Sequence, residues 1–386
     1  MSLPPSQRSA VEPFLVMEVM RAAIERESAG DKIIHMEVGQ PGAPAPGPVI
    51  EAARTALNDG HFGYTEALGT RALRSRIARH YGDAYGIEIA PERVVVTTGS
   101  SAGFSLAFLS AFDAGDRIAI TAPGYPAYRN ILGALGVDVV EIETETDTDT
   151  RHALTPEMLA AAHANAPLSG LLIASPANPT GTMMSPDALG AIVAACDDLG
   201  IRFISDEIYH RLVYGEREET ALRFTDNAIV VNSFSKYYCM TGWRIGWMVL
   251  PENLVRPVER IAQNLYISPP DISQRAAIAA FDATPELESV KAGYAVNRRL
   301  LLDRLPRIGF DDYSPVDGAF YFYASIRRFS NNSVEFTQRM LAEAGVAATP
   351  GSDFDRVRGS GTMRFSFAGT QKDMVEAMDR LAAWLG

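Results

Sequence analysis

Residues 232–247 read NSFSKYYCMTGWRIGW, with a single lysine and a single arginine eight positions apart among serines, aromatics and glycines. The apolar run Ala228, Ile229, Val230, Val231 leads into this stretch, and the run from Ile245 to Leu250 leaves it. Continuous apolar runs of this length have the character of strands covered on both faces. Lys236 therefore falls near the end of a buried strand, where an ammonium is expensive to desolvate. Two readings follow: a side chain that snorkels out to water, or one kept there for chemistry.

Outward from this stretch the same pattern recurs. Short apolar runs at Val94–Thr98, Ile118–Thr121, Val137–Ile142, Leu171–Ser175, Phe203–Ser205, Ile229–Asn232 and Ile245–Leu250 alternate with helical spacing. Such alternation predicts an α/β fold with a mainly parallel seven-stranded sheet covered by helices. From about residue 282 the pattern changes to one long helical stretch, Pro285–Leu305, strand-like segments at 319–325, 346–348 and 362–367, and a terminal helix over 371–385. These describe a smaller α+β unit, which the helix predicted over Glu12–Ala29 joins. The expected division is a large cofactor-binding domain over 47–281 and a small domain from 1–46 and 282–386. The acidic tract ETETDTDTR at 143–151 reads as a solvated loop, since its spacing lacks the glycine of a calcium loop.

Composition narrows the function. Thirty-five basic against 47 acidic residues leave a formal charge of -12, so no general attraction to nucleic acid or anionic lipid is expected. Cys196 and Cys239 are the only cysteines, and no cysteine or histidine cluster has metal-ligand spacing, which argues against a disulfide framework, a structural zinc or any other metal. The start, MSLPPSQRSAVEPF, lacks the apolar stretch of a signal peptide, and no apolar run approaches the roughly 20 residues of a membrane span. A cytoplasmic protein is the expectation.

In open α/β sheets ligands bind outside the carboxyl ends of the strands, so the residues after each run were compared. After Val94–Thr98 comes GSSAG, a small-residue turn leading into a helical stretch at 104–112. Backbone N–H groups at Ser100, Ser101 and Ala102 with the two serine hydroxyls form a phosphate site, or else simply a tight turn with a serine cap. PANPTG places Asn178 in a proline-braced loop; DEIYH places Asp206 at a strand exit and Tyr209 one helical turn later if a helix starts there; SFSK ends in Lys236. An acid, an amide, a phenol, a phosphate turn and a lysine at one sheet edge match what pyridoxal 5'-phosphate requires. Lys236 would form the Schiff base, Asp206 would keep the pyridine nitrogen protonated, and Asn178 and Tyr209 would hydrogen-bond the ring oxygen. Ser233, Ser235 and Arg244 would complete the phosphate site, the last through its planar fork. Tyr125, in APGYP, would lie on the ring face.

The chain resembles the class I and II aminotransferases of fold type I. The likeness runs from about Val11 to the C-terminus through VGQP, YTEALG, GSSAG, PGYP, ANPTG, DEIY, the lysine stretch, GAFYFY and MRFSF. It implies a ping-pong exchange between an L-amino acid and a 2-oxo acid, with Lys236 as the base. It also implies that Arg364 grips the α-carboxylate with help from Asn178 and the backbone near Gly39. Tyr64 would reach the phosphate of a neighbouring subunit, making the active unit a homodimer with shared sites. Two departures concern substrate and detail: Ser101 stands where some dicarboxylate-specific members have lysine, and Asp271 stands in PPDIS where serine is common. With Gln263 before the SPP motif and Tyr125 and Tyr321 nearby, the resemblance favours neutral or aromatic donors, unless an arginine such as Arg211 supplies the missing charge.

GSSAG fits a GxSxG nucleophile elbow around Ser101, but the last histidine is His210, so the late catalytic histidine of a hydrolase is missing. Ser233 and Lys236 fit SxxK, yet no KTG or SDN partner exists. A non-catalytic cofactor sensor would need a DNA-binding segment, and the first 35 or so residues show no helix-turn-helix. Elimination by a C–S β-lyase, decarboxylation and cyclising synthase chemistry use the same cofactor motifs and stay open at this level.

Overall fold

A computed structural model describes residues 3–144, 153–215 and 217–386. Of the acidic tract, residues 145–151 lie outside the described residues.

Twelve strands occur in chain order among the described residues: β1 (Ile34–His35), β2 (Val94–Thr97), β3 (Arg117–Ala122), β4 (Asp138–Glu143), β5 (Gly170–Ala174), β6 (Arg202–Asp206), β7 (Ile229–Ser233), β8 (Gly246–Val249), β9 (Tyr321–Ser325), β10 (Val346–Ala347), β11 (Thr349–Pro350) and β12 (Thr362–Ser366). Seven form one sheet in the order β2-β8-β7-β6-β5-β3-β4. β3, β4, β5, β6 and β7 run parallel, while β8 is antiparallel to both β2 and β7. Each predicted apolar run is a strand of this sheet, displaced by at most one residue at either end. β2, β7 and β8 are buried along their whole length, because helices cover both faces, whereas edge strand β4 is half-exposed and carries Asp138, Glu141 and Glu143.

The strand order reverses between β3 and β5, so their exits open a crevice at the carboxyl edge of the sheet. Tyr125 follows β3, Asn178 follows β5, Asp206 ends β6 and Lys236 follows β7. Two local expectations need correction. The helix after β2 spans Gly99–Ala111, not 104–112, so GSSAG is its first turn. Gly99 makes this possible by taking φ 74, a left-handed conformation that lets the chain pass from strand to helix within two residues. No helix starts at DEIYH: residues 208–211 are a turn, and the Asp206 carboxylate accepts the Ile208 N–H at 3.0 Å, competing with helical hydrogen bonding.

Beyond the large sheet, β9, β11 and β12 form an antiparallel sheet in the order β11-β12-β9, and β1 pairs with β10. The register sets Arg364 of β12 opposite Tyr323 on one side and Thr349 on the other. Helices Thr284–Arg304 and Gln371–Leu385 flank this region. The first helix spans Leu15–Ser28, starting later than expected because Pro13 keeps the chain before it extended. Its first-turn N–H groups at Leu15 and Val16 donate to the Asp353 carboxylate at 3.0 and 3.3 Å.

Candidate active site

The crevice holds a cavity of about 260 Å³, and Gly39, Ser100, Ser101, Tyr125, Asn178, Asp206, Tyr209, Ser235, Lys236, Arg244 and Arg364 all line it. Seven separate stretches of chain thus converge, five of them the segments that follow strands of the large sheet, with Gly39 and Arg364 joining from outside it.

Lys236 sits at the inner end, its Nζ donating to the Gly39 carbonyl and lying 5.7 Å from the centre of the Tyr209 ring. Its ammonium is lowered to about 8, chiefly by burial and then by repulsion from Arg364, with the Asp206 charge acting the other way. The Asp206 carboxyl is pushed up to about 6 by burial, against hydrogen bonds from the Tyr128 hydroxyl and the Ile208 N–H. A lysine that loses its proton near neutrality and a carboxyl that keeps one unusually late therefore share one cavity.

At one end of the cavity Ser100 and Ser101 lie in the first turn of helix Gly99–Ala111, beside Ser235 and Arg244. This collects helix N–H dipoles, hydroxyls and a guanidinium, a donor set that suits a phosphate. A Cβ on Gly99 would lie 2.5 Å from Arg244 Nη2, so the glycine is what lets that guanidinium close on the helix start. Elsewhere in the cavity Arg364 is buried, with Nη1 donating to Asn178 Oδ1 at 2.7 Å and Nη2 donating to the Glu37 carbonyl and to Thr349 Oγ1. Its Cζ lies 4.3 Å from the Tyr321 ring centre and 4.7 Å from that of Phe354, and its buried Nε has no partner. A buried guanidinium with an unpaired N–H is a ready carboxylate site.

Three expected site residues fall elsewhere. Ser233 is buried behind the wall, its hydroxyl 2.9 Å from Ser235 Oγ and 3.0 Å from the Ile245 carbonyl, so it touches the cavity only through Ser235. Ala102 is buried one residue past the lining serines, because the helix has already turned there. Tyr64 is 83% exposed and borders a separate surface hollow with Phe62 and Asp271. Arg211 does not enter the cavity either; it stacks on Tyr237 at 4.2 Å and faces Glu288. Gln263 is exposed on helix Glu252–Leu265. Among the described residues no histidine lines the cavity, so none of them offers Ser101 a base of the hydrolase kind. Among the described residues, no group of three or more His, Cys, Asp or Glu side chains is placed to hold a metal, and no helix is long and apolar enough to cross a membrane.

Residues 31–381 match the family of class I and II aminotransferases. The chain belongs to that family. A valine–pyruvate aminotransferase of Mycobacterium tuberculosis is 50% identical over 98% of this chain and 97% of its own. A (5-formylfuran-3-yl)methyl phosphate transaminase of Methanocaldococcus jannaschii is 34% identical over 97% of each. A crystal structure of an aminotransferase from Mycobacterium tuberculosis superposes with a TM-score of 0.96 at 49% identity, covering 100% of this chain and 99% of that one. The protein is thus an aminotransferase, moving an amino group between an amino acid and a 2-oxo acid, in a family that generally depends on pyridoxal phosphate.

Several residues that line this cavity are hard to find from the sequence. Tyr128 touches the cavity and donates to Asp206; the YPAY spacing, one helical turn after Tyr125, was the available signal. Val16 and Met17 of the first helix supply apolar wall, more than 80 residues from the nearest strand-exit motif, and carry no pattern that announces it; Val38, the first residue of VGQP, adds to the same wall.

Proposed function

We propose that this aminotransferase holds pyridoxal phosphate on Lys236 and takes its amino group from a neutral L-amino acid of the valine type, with a small 2-oxo acid such as pyruvate as acceptor. The observation that carries the cofactor reading is the convergence in one cavity of Lys236, Asp206, the anion-binding helix start with Arg244, and an Arg364 whose buried Nε lacks a partner. These groups fit the cofactor in charge and in kind: donors for a phosphate, a lysine for an aldehyde carbon and a carboxylate for a pyridine nitrogen.

The cofactor supplies the electron sink that makes an amino acid's Cα–H acidic. The chain does the rest. Arg364, oriented by Asn178 and the Glu37 carbonyl, binds the α-carboxylate and turns the Cα–H bond toward the catalytic lysine. Lys236, with its pKa near 8, is partly neutral at physiological pH and serves as base at Cα. Asp206 holds the proton on the pyridine nitrogen; the positive ring would draw its carboxyl back to the ionised form. Tyr209 and Asn178 would donate to the ring oxygen of the bound cofactor, and Tyr125 would pack against its ring.

The donor class rests on the charges that line the cavity. Lys236, Arg244 and Arg364 are its only cationic lining residues among those described, and each already has a role, which leaves none of this chain for a second carboxylate. Val16, Met17 and Val38 present apolar surface instead. The 50% identical relative named for valine and pyruvate agrees. Tyr64, remote from its own cavity, supports a homodimer in which it serves the partner's site. The pairing of β1 with β10 supports a small domain that includes the N-terminal segment.

Two measurements test the reading. The purified enzyme is expected to be yellow, with a long-wavelength band that borohydride removes and a reduced adduct on Lys236. A panel of twenty amino acids, followed by loss of that band in single half-turnovers, should rank valine and other neutral donors first. A preference for aspartate above roughly a hundredfold, worth about 2.7 kcal/mol, would overturn the donor class.

A further inference from the structure

We infer that Tyr321 is a positioning residue that fixes the direction in which the Tyr209 hydroxyl donates its proton. The inference rests on the cofactor reading above, in which Tyr209 faces the ring oxygen.

Tyr321 opens β9 and is 1% exposed. Its hydroxyl lies 2.6 Å from that of Tyr209, the two rings meeting edge to face at 5.6 Å. Space for the hydroxyl comes from Gly39, where a Cβ would lie 1.9 Å from it. The Gly39 carbonyl in turn accepts from Lys236, and the face of the Tyr321 ring carries the Arg364 guanidinium. One phenol thus touches the residues that serve the lysine, the carboxylate and the cofactor's ring oxygen.

Chemistry decides what the hydroxyl does there. Burial pushes both phenols upward, so both keep their protons. Among the described residues Tyr209 is the only hydrogen-bond partner of the Tyr321 hydroxyl, so within the protein it is the one acceptor for that proton, although Tyr321 also lines the cavity. Once an anionic oxygen accepts from Tyr209, the pair can satisfy itself in one way only: Tyr321 donates to Tyr209, and Tyr209 donates onward. Chained donors polarise one another, which makes Tyr209 the stronger donor. A phenylalanine at 321 would keep the packing, the Arg364 stacking and the edge-to-face contact, and would remove only this relay.

The test is a pH titration of the visible band in the cofactor-loaded enzyme, for wild type, Tyr321→Phe, Tyr209→Phe and the double variant. Donation to the ring oxygen stabilises the form that has lost its proton from the lysine-bound nitrogen, so weaker donation moves the midpoint up. Tyr321→Phe is expected to raise it by about 0.5–1 pH unit, and Tyr209→Phe by more. Because Tyr321 acts through Tyr209, the double variant should titrate like Tyr209→Phe alone. An unchanged midpoint in Tyr321→Phe would overturn the inference, as would the same Tyr321 effect with and without the Tyr209 hydroxyl. So would a Tyr321→Phe protein with native circular dichroism that fails to retain cofactor, since that makes the hydroxyl a retention group. If wild type shows no visible band that borohydride removes, the cofactor reading itself falls, and the relay falls with it; a band that is present but does not titrate overturns the relay alone.

Discussion

Burial pushes the Asp206 carboxyl up to about 6 from 3.8, and the hydrogen bonds from Tyr128 and Ile208 with the charges of His210 and Lys236 offset it only in part. A carboxylate raised by burial destabilises the fold where it is ionised. Below pH 3.8 the group is neutral both folded and unfolded and costs nothing; as pH rises through the interval to about 6 the penalty grows, and above that it is complete. Asp206→Asn in the cofactor-free protein should therefore be more stable than wild type above pH 6, by at most about 3 kcal/mol, with the difference vanishing near pH 4. The same variant should lose at least about a thousandfold in turnover, because a neutral amide cannot hold the ring proton. Denaturant melts at pH 4 and pH 8 check the first expectation. Equal stability at both pH values would mean that the carboxyl is solvated in solution, and turnover within tenfold of wild type would remove it from the mechanism.

At the scale of elements, the join between β2 and helix Gly99–Ala111 is where backbone and site chemistry meet. Gly99 combines a φ of 74 with a Cβ direction that points 2.5 Å from Arg244 Nη2. Gly99→Ala should cost about 1–2 kcal/mol from the left-handed conformation alone. It should also push Arg244 off the helix start and weaken cofactor affinity by at least about tenfold, or about 1.4 kcal/mol. Absorbance titration of the apo-enzyme gives the affinity, and a dissociation constant within twofold of wild type would show that Arg244 is not needed there. This junction also shows where the sequence was legible. The seven strands announced themselves because a strand covered on both faces must be apolar throughout, and the residues after them were polar for a reason. The helix start is hard to place from sequence because GSSAG has poor helix formers, and tertiary neighbours explain its glycines: Arg244 beside Gly99, and Met248 and Val231 beside Gly103. Tyr128 went unread for a similar reason, because its partner Asp206 is 78 positions away, and Val16 and Met17 reach the cavity only because Asp353, over 330 positions on, holds their helix.

At the scale of the whole molecule, one residue proposed for the site lies away from the cavity of its own chain. Tyr64 is 83% exposed, and nearby Phe62, Leu265, Tyr266 and Ile267 are 44, 52, 38 and 51% exposed, in segments linked by the Thr65 N–H donating to Ser268 Oγ. Apolar side chains gathered on a surface in this way mark an interface. A second copy of the chain, as proposed above, would be the occupant that also gives Tyr64 a phosphate to reach. Such a dimer makes each site from two chains, so inactive variants should complement. In a hybrid of Tyr64→Ala and Lys236→Ala subunits, the Tyr64→Ala chain keeps its lysine and receives tyrosine from its partner, giving one intact site; the other site lacks both. Random reassembly of equal amounts makes half the dimers hybrid, so about a quarter of wild-type activity should return on mixing. If Tyr64 served its own chain, no hybrid site would hold both residues and mixing would restore nothing. Sedimentation of the wild type sets the premise: a fully active monomer would end the shared-site proposal whatever the mixtures show.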